Sequence, residues 1–360
     1  MKISVIVPCY NSEKFLRETL DNLLGQTLKE IQIIIVNDGS TDSTADIIAE
    51  YAAKHSNILP IYQKNAGVSA ARNNGMEHAE GKYTVFLDSD DLFSENSLEN
   101  LFNSLERSCA DLAICRTKSF GFGDGQFNPI VDAFVSEGTI RYDDKRLIWN
   151  FIVSNKCYKT ALLKQSGVRF PSTRYSEDGA FLMQFIHKTT PKIIGVYDAI
   201  FKYRKHRPDE GLSVTQRCDL ALVEDFSRSL DIVYDAAKES FGNCISKENE
   251  DYLQEILCKK FTALINEFYR SLWSADNETL ACIEKIAEST KSRMTPETRN
   301  RCVGIIKDIG DPIYSKKGIS ENPFISVIVK KPTEEFIRSL YAQSMPVFEL
   351  LTVENDTLPK

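Results

Sequence analysis

Short apolar runs recur at Ile3–Val7, Ile31–Val36, Ile58–Tyr62 and Tyr83–Leu87. They are rich in β-branched residues and nearly free of polar ones, the pattern of parallel strands buried on both faces. Between them the spacing changes to that of helix. Phe15, Leu16, Leu20, Leu23 and Leu24 fall on one face, with Ser12 as the expected N-cap. Ile47, Ile48, Tyr51 and Ala52 form a second stripe after a Ser-Thr-Asp start, and a small-residue-rich third helix is expected from about Val68 to Gly75. Alternation of this kind predicts βαβ units with right-handed crossovers. The expected fold class is α/β: a doubly wound, mostly parallel sheet with helices on both faces.

Beyond Cys109 the pattern loosens. Leu112–Cys115 reads as a strand, residues 119–134 as loops or a hairpin, and Lys192–Tyr203 as a return to the sheet. From about residue 215 the spacing is helical: Leu222, Phe226, Leu230 and Val233 share a face, as do Leu253, Leu257, Phe261 and Leu264, and a third helix starts near Glu278. Gly310, Pro312, Gly318 and Pro323 then mark a linker. After it, Ile325–Val329 repeats the ISVIV of Ile3–Val7, and ELLTVEND stands beside the earlier IQIIIVND. The chain restarts the same β-α-β pattern, and a unit of this size buries no core of its own. The expectation is a repeat that docks elsewhere or continues past Lys360. In this copy Lys330-Lys331-Pro332 replaces Pro8–Asn11, and only Asp356 echoes Asp38, so the segment is not expected to be catalytic.

Composition narrows the partners. With 44 Lys and Arg against 51 Asp and Glu, the net charge of -7 gives no overall field for nucleic acid or anionic lipid. The nine cysteines are scattered without a CxxC pair, which argues against a zinc knuckle or disulfide framework and for a reducing compartment. The five apolar residues before Pro8 fall far short of a signal peptide or membrane span. A cytoplasmic location follows as an expectation, and peripheral association with the inner face of a membrane is compatible with it, as is oligomerisation through the helical block.

Candidate chemistry sits where open α/β sheets bind ligands, at the carboxyl ends of the strands. Pro8-Cys9-Tyr10-Asn11 follows the first strand and lacks the glycines of a dinucleotide fold. Asn37–Asp42 follows the second; by itself this is also an ordinary turn and helix start. Asp88-Ser89-Asp90-Asp91 follows the fourth, and its crowded carboxylates call for a hard divalent cation shared with phosphates.

In this order and spacing, VIVPCYN, VNDGSTDST, NAGVSAARNNG and VFLDSDD resemble the inverting family 2 glycosyltransferases of GT-A fold, over about residues 1–214. The resemblance implies transfer of one sugar, with inversion, from a UDP-sugar to a hydroxyl of a glycan, lipid-linked or protein-linked acceptor, with Mn2+ or Mg2+. It implies a nucleotide pocket built from Pro8, Tyr10, Asn11, Asp38, Asn65, Gly67, Arg72, Asp88 and Ser89, with Asp38 on the uracil and Asp88 towards the ribose or sugar. Asp90 and His206 would hold the metal, and Arg207 with Ser213 would close over the diphosphate. Tyr175–Gly179 resembles the family's Glu-Asp motif, making Asp178 the base and Glu177 an acceptor-positioning residue. Trp149, Phe151, Asn155 and Lys156 fall where such enzymes build the acceptor side. The chain then divides into a transferase domain (1–214), a helical extension (215–310), a linker (311–322) and a partial second unit (323–360). Two alternatives stand beside this reading. One is a non-catalytic nucleotide-sugar-binding or scaffolding module, which needs no base; the other is a sugar nucleotidyltransferase, expected to carry a glycine-rich basic loop after the first strand.

Overall fold

The computed structural model describes residues 1–122, 125–206, 219–243, 245–268, 277–309, 325–329 and 348–352. Met1–Gly211 with Ser229–Ile245 makes one compact unit, and Leu212–Arg228 with Ser246–Lys360 a second.

The first unit begins as the alternation requires: β1 (Ile3–Cys9), α1 (Leu16–Leu24), β2 (Ile31–Asp38), α2 (Thr44–Lys54), β3 (Ile58–Gln63), α3 (Val68–Glu77) and β4 (Tyr83–Phe86). There follow β5 (Leu92–Phe93), α4 (Ser97–Ser108), β6 (Leu112–Gly121), α5 (Pro129–Val135), β7 (Thr139–Ile140), β8 (Lys156–Lys159), α6 (Thr160–Ser166), α7 (Glu177–Thr189) and β9 (Ile193–Lys205). The sheet order is β3-β2-β1-β4-β8-β6-β9-β5, with β7 also on β9. β1 pairs parallel with both β2 and β4, β2 with β3, and β6 with β9, whereas β8 runs antiparallel between β4 and β6. The chain winds outward from β1 to β3 and then returns to β4 on the other side of β1. That reversal makes the carboxyl ends of β1 and β4 the topological switch point of the sheet, where the motif residues cluster.

β1, β2 and β4 are buried along their whole length, as their composition demands. β3 differs: it is the edge strand, and only Ile58 is buried. Ile3, Val5 and Val7 share one core with Leu16, Leu20 and Leu23 of α1, Ile48 of α2 and Leu98 and Leu101 of α4. On the opposite face α3 lies close against the sheet. A Cβ at Gly75 would come within 2.4 Å of Ile6 Cγ2, which is why that helix is rich in small residues. Ser12 is not a side-chain cap; α1 starts after Phe15, and the Ser12 hydroxyl bonds that of Ser89 at 2.7 Å. Within residues 119–134 the antiparallel bridge agrees with the hairpin expected there, and α5 is a helix that was not expected. β6 continues to Gly121, Lys118 bridges to Phe127, and the Asn128 side chain caps α5.

The helices α8 (Leu220–Phe241), α9 (Lys247–Phe268), α10 (Asn277–Ser292) and α11 (Pro296–Ile309) form the expected helical stretch. The division between the two units falls inside α8: from Ser229 onward the helix belongs with the sheet, its Ser229 hydroxyl bonding Thr173 and the Tyr175 carbonyl. No described helix is long and apolar enough to cross a membrane. In the second copy, β10 (Ile325–Val329) and β11 (Phe348–Thr352) pair in parallel, as β1 and β2 do. Their register corrects the sequence alignment by one residue: Phe348, not Glu349, faces Ile325 as Ile31 faces Ile3. Asp356 and the linker lie outside the described residues.

Candidate active site

The loops after β1 and β2 are tied together. Asn11 adopts a left-handed backbone (φ 49°), its amide oxygen accepts from the Thr41 N–H at 2.8 Å, and its own N–H donates to the Ser40 hydroxyl. A short polar side chain is one of the few that tolerates this conformation. Pro8 is buried in β1, while Tyr10 and Asn65 are exposed.

The NAGVSAARNNG segment is a set of anchors. The Ala66 and Gly67 N–H groups donate to the Asp38 carboxylate at 2.9 and 2.8 Å, and Gln63 adds a third bond at 2.8 Å. Gly67 holds φ 89°, a conformation L side chains avoid, immediately before α3. Asp38 is 3% exposed. Its immediate role is therefore to organise the β3–α3 loop, and of the roughly four acceptor positions of a carboxylate three are taken. Asn74 bonds Gln63, and Asn73 exchanges two hydrogen bonds with the Phe170 backbone. The Phe170 ring stacks on Phe181 at 3.8 Å and lies 5.2 Å from the Arg72 guanidinium.

Arg72, seated there, is the centre of the site. Only 4% of its side chain is exposed, and it meets three carboxylates: Nη1 donates to Glu177 Oε1 (3.0 Å) and Asp178 Oδ1 (2.7 Å), Nη2 to Asp88 Oδ1 (2.8 Å). Burial works against its charge, but Asp178, Asp88 and Glu177 together hold it protonated. Glu177 and Asp178 occupy the first turn of α7, where the helix dipole favours negative charge. Asp178 keeps 27% of its side chain exposed. Its enclosed setting raises its pKa to about 8; Arg72 pulls it down, while Glu177 and Asp88 push it up. A base with a pKa in that range is suited to take a proton near neutrality.

The second carboxylate cluster follows in the β4–β5 turn. Asp90 Oδ2 lies 2.6 Å from His206 Nε2. Burial and Asp88 raise the Asp90 pKa, and His206 opposes them. Asp91 is 2% exposed and is structural: its carboxylate accepts the Arg204 N–H at 2.7 Å. The Arg204 side chain bonds the Asp90 carbonyl at 2.7 Å and Glu18 at 2.6 Å, between the rings of Phe15 and Phe120. The end of β9 is thereby pinned beneath the Asp88–Asp91 turn. Among the described residues, no group of three or more His, Cys, Asp or Glu is placed to hold a metal ion. Asp90 and His206 instead offer two adjoining donors. A carboxylate oxygen and an imidazole nitrogen fill two positions, so a cation there would need further oxygens from a ligand or water.

Other expected site residues divide. Ser89 turns to the Ser12 hydroxyl, and its carbonyl accepts from Thr19. Trp149 is 41% exposed, and the Phe151 ring covers the space a side chain at Gly179 would fill. Lys156 is a correction: it is fully buried, and its ammonium donates to the Asn150 and Ile152 carbonyls and the Asn155 amide oxygen. It does not face an acceptor; it braces the segment that carries Trp149 and Phe151. Asn155 is likewise buried, bonded to Thr117 and the Cys115 carbonyl. Arg207 and Ser213 lie outside the described residues. Gln63 and Phe170 were not expected from the sequence; only their position beside motif residues marks them.

Known proteins match this architecture. The family model described as "Glycosyl transferase family 2" matches residues 4–169. Glycosyltransferase GlyA of Streptococcus pneumoniae is 33% identical over 246 residues, 64% of this chain and 34% of GlyA, so the chain spans about a third of that relative. Glycosyltransferase GlyG of the same organism is 31% identical over 244 residues, covering 63% of this chain and 79% of GlyG. The poly(ribitol-phosphate) beta-N-acetylglucosaminyltransferase TarS of Staphylococcus aureus is 30% identical over 217 residues, 59% of this chain and 37% of TarS. The crystal structure of TarS 1-349 in complex with UDP superposes with a TM-score of 0.66 at 22% identity, covering 90% of this chain and 94% of that one, and so shares the fold. With motifs, fold and relatives in agreement, the chain belongs to glycosyl transferase family 2.

Proposed function

We propose that this chain is an inverting glycosyltransferase that moves a sugar from a UDP-sugar to a hydroxyl of a surface-glycan acceptor, with Asp178 as general base. One observation carries the proposal: a single buried guanidinium, that of Arg72, joins the Asp88 end of the strand-four motif to the Glu177–Asp178 pair. A scaffold has no need of a raised-pKa carboxylate held at a nucleotide site. The polymer-modifying relative TarS supports a polyol-phosphate or polysaccharide acceptor.

In this mechanism Asp178 accepts the proton of the acceptor hydroxyl. The acceptor oxygen bonds the anomeric carbon on the face opposite the diphosphate, whose bond to that carbon breaks. Arg72 holds Asp178 in place and fixes Asp88 towards the donor. Asp38 shapes the nucleotide wall through the Ala66–Gly67 loop, with one carboxylate position left for the uracil. Asp90 and His206 would hold Mn2+ or Mg2+, which when bound offsets charge on the diphosphate. Trp149 offers an exposed ring for a sugar face.

The test is a panel of UDP-sugars incubated with purified protein and either Mn2+ or Mg2+, with UDP release as readout. UDP release from at least one donor, abolished by Asp178→Asn when an acceptor is supplied, is the expected outcome. Binding of every donor without turnover would instead favour a nucleotide-sugar-binding module.

A further inference from the structure

Two of the scattered cysteines meet in the helical unit. Cys258 on α9 and Cys302 on α11 are 44 positions apart, yet the Cys302 thiol donates to the Cys258 sulfur at 2.6 Å. Both are buried, at 1% and 0% exposure. The sulfur–sulfur separation is only about half an ångström longer than a disulfide bond. We propose that Cys258 and Cys302 form a reversible disulfide that staples α9 to α11.

The surroundings give the pair its polarity. The hydrogen bond from Cys302 favours a Cys258 thiolate against its burial, and the Arg301 guanidinium adds to this. Arg301 is itself fixed by Glu255 of α9 at 2.8 Å. Cys302, the donor, is correspondingly pushed up. Either sulfur can serve as nucleophile with the other resolving; the Arg301 charge beside Cys258 favours Cys258 in the first role. The buried sheet thiols differ: burial pushes Cys115 up to about 12, and Cys9 is raised by burial and by three nearby aspartates.

With hydrogen peroxide as oxidant the chemistry balances. The Cys258 thiolate attacks one peroxide oxygen, the O–O bond breaks, and Cys258 sulfenic acid and hydroxide form; the hydroxide takes up the proton that Cys258 gave to solvent on ionising, making one water. The Cys302 sulfur then attacks the Cys258 sulfur; the S–S bond forms, the S–O bond breaks, and hydroxide leaves with the Cys302 proton as a second water. Two thiols are oxidised and one peroxide is reduced. A dithiol reductant reverses the reaction by exchange.

The test uses the whole protein, reduced and then exposed to limiting hydrogen peroxide, unfolded in denaturant with a maleimide present, digested and analysed by mass spectrometry without reduction. The expected result is a linked peptide pair containing Cys258 and Cys302, lighter than the two reduced peptides by two hydrogens and abolished by dithiothreitol. Oxidised wild type should also melt several degrees higher than reduced wild type, and show slower amide exchange in α9 and α11. That difference should vanish in Cys258→Ser and in Cys302→Ser. Both cysteines still recovered as maleimide adducts once peroxide has consumed other thiols would overturn the proposal. So would Cys258 linked to a different cysteine.

Discussion

Two carboxylate clusters meet the chain just after β4 and are built on opposite principles. Around Arg72, three carboxylates surround a cation that is almost wholly enclosed, each at 3.0 Å or less. Around Asp90 the partner is an imidazole, and both side chains are about a third exposed (30% and 33%). The first cluster is locked: removing its cation leaves like charges packed together. The second is less enclosed, since both of its side chains remain partly open to solvent. In the proposed mechanism, rigidity falls where the proton would be taken at a fixed point, and openness where a charged donor would enter and leave.

The comparison can be broken by substitution. Asp178→Asn keeps the shape and removes the base; transfer should fall roughly 10²- to 10⁴-fold, measured as kcat with saturating donor, while donor binding persists. If turnover stays within a few fold of wild type, Asp178 is not the base. Arg72→Met attacks the lock itself. It should cost about 3–5 kcal/mol, the usual penalty for removing one partner of a buried ion cluster, read from urea unfolding of the first unit. Asp90→Ala, by contrast, should leave stability near wild type but weaken Mn2+-dependent UDP binding at least roughly tenfold, by calorimetry with and without the metal. Equal stability losses in Arg72→Met and Asp90→Ala would remove the distinction.

Two smaller effects sharpen it. Because enclosure raises Asp178 to about 8, and the base works only when ionised, kcat/KM should climb as pH rises and level off above that value. A profile already flat from pH 6 upward would show that Asp178 is ionised throughout that range and that its pKa is not raised. Lys156→Met tests the corrected role of a buried brace: stability should drop by about 1–3 kcal/mol, with acceptor KM unchanged in the protein that remains folded. Trp149→Ala should do the reverse, raising acceptor KM slightly and leaving stability alone.

Much of this was legible in the sequence because it depends on neighbours along the chain. Apolar runs become buried strands, and a motif that follows a strand must emerge at the sheet's carboxyl edge, so Asp38, Asp88 and Asp90 could be placed before any coordinates. What failed depended on distant partners. Lys156 looked like an acceptor contact beside aromatics, but three carbonyl oxygens enclose it in the interior. Asp38 was expected only as a uracil contact, and its hydrogen bonds to Gln63, Ala66 and Gly67 were not legible.

By itself, then, the sequence determined the winding of the sheet, the edge that carries chemistry and the family. Only the tertiary structure decided which charges are locked and which stay partly open to solvent. Arg72 reaches carboxylates 105 and 106 positions away, and Cys302 a sulfur 44 positions away. Periodicity records which face of an element is buried. It does not record what waits on the other side, because that is fixed by packing between elements and by the low-polarity interior that makes each buried charge find a partner.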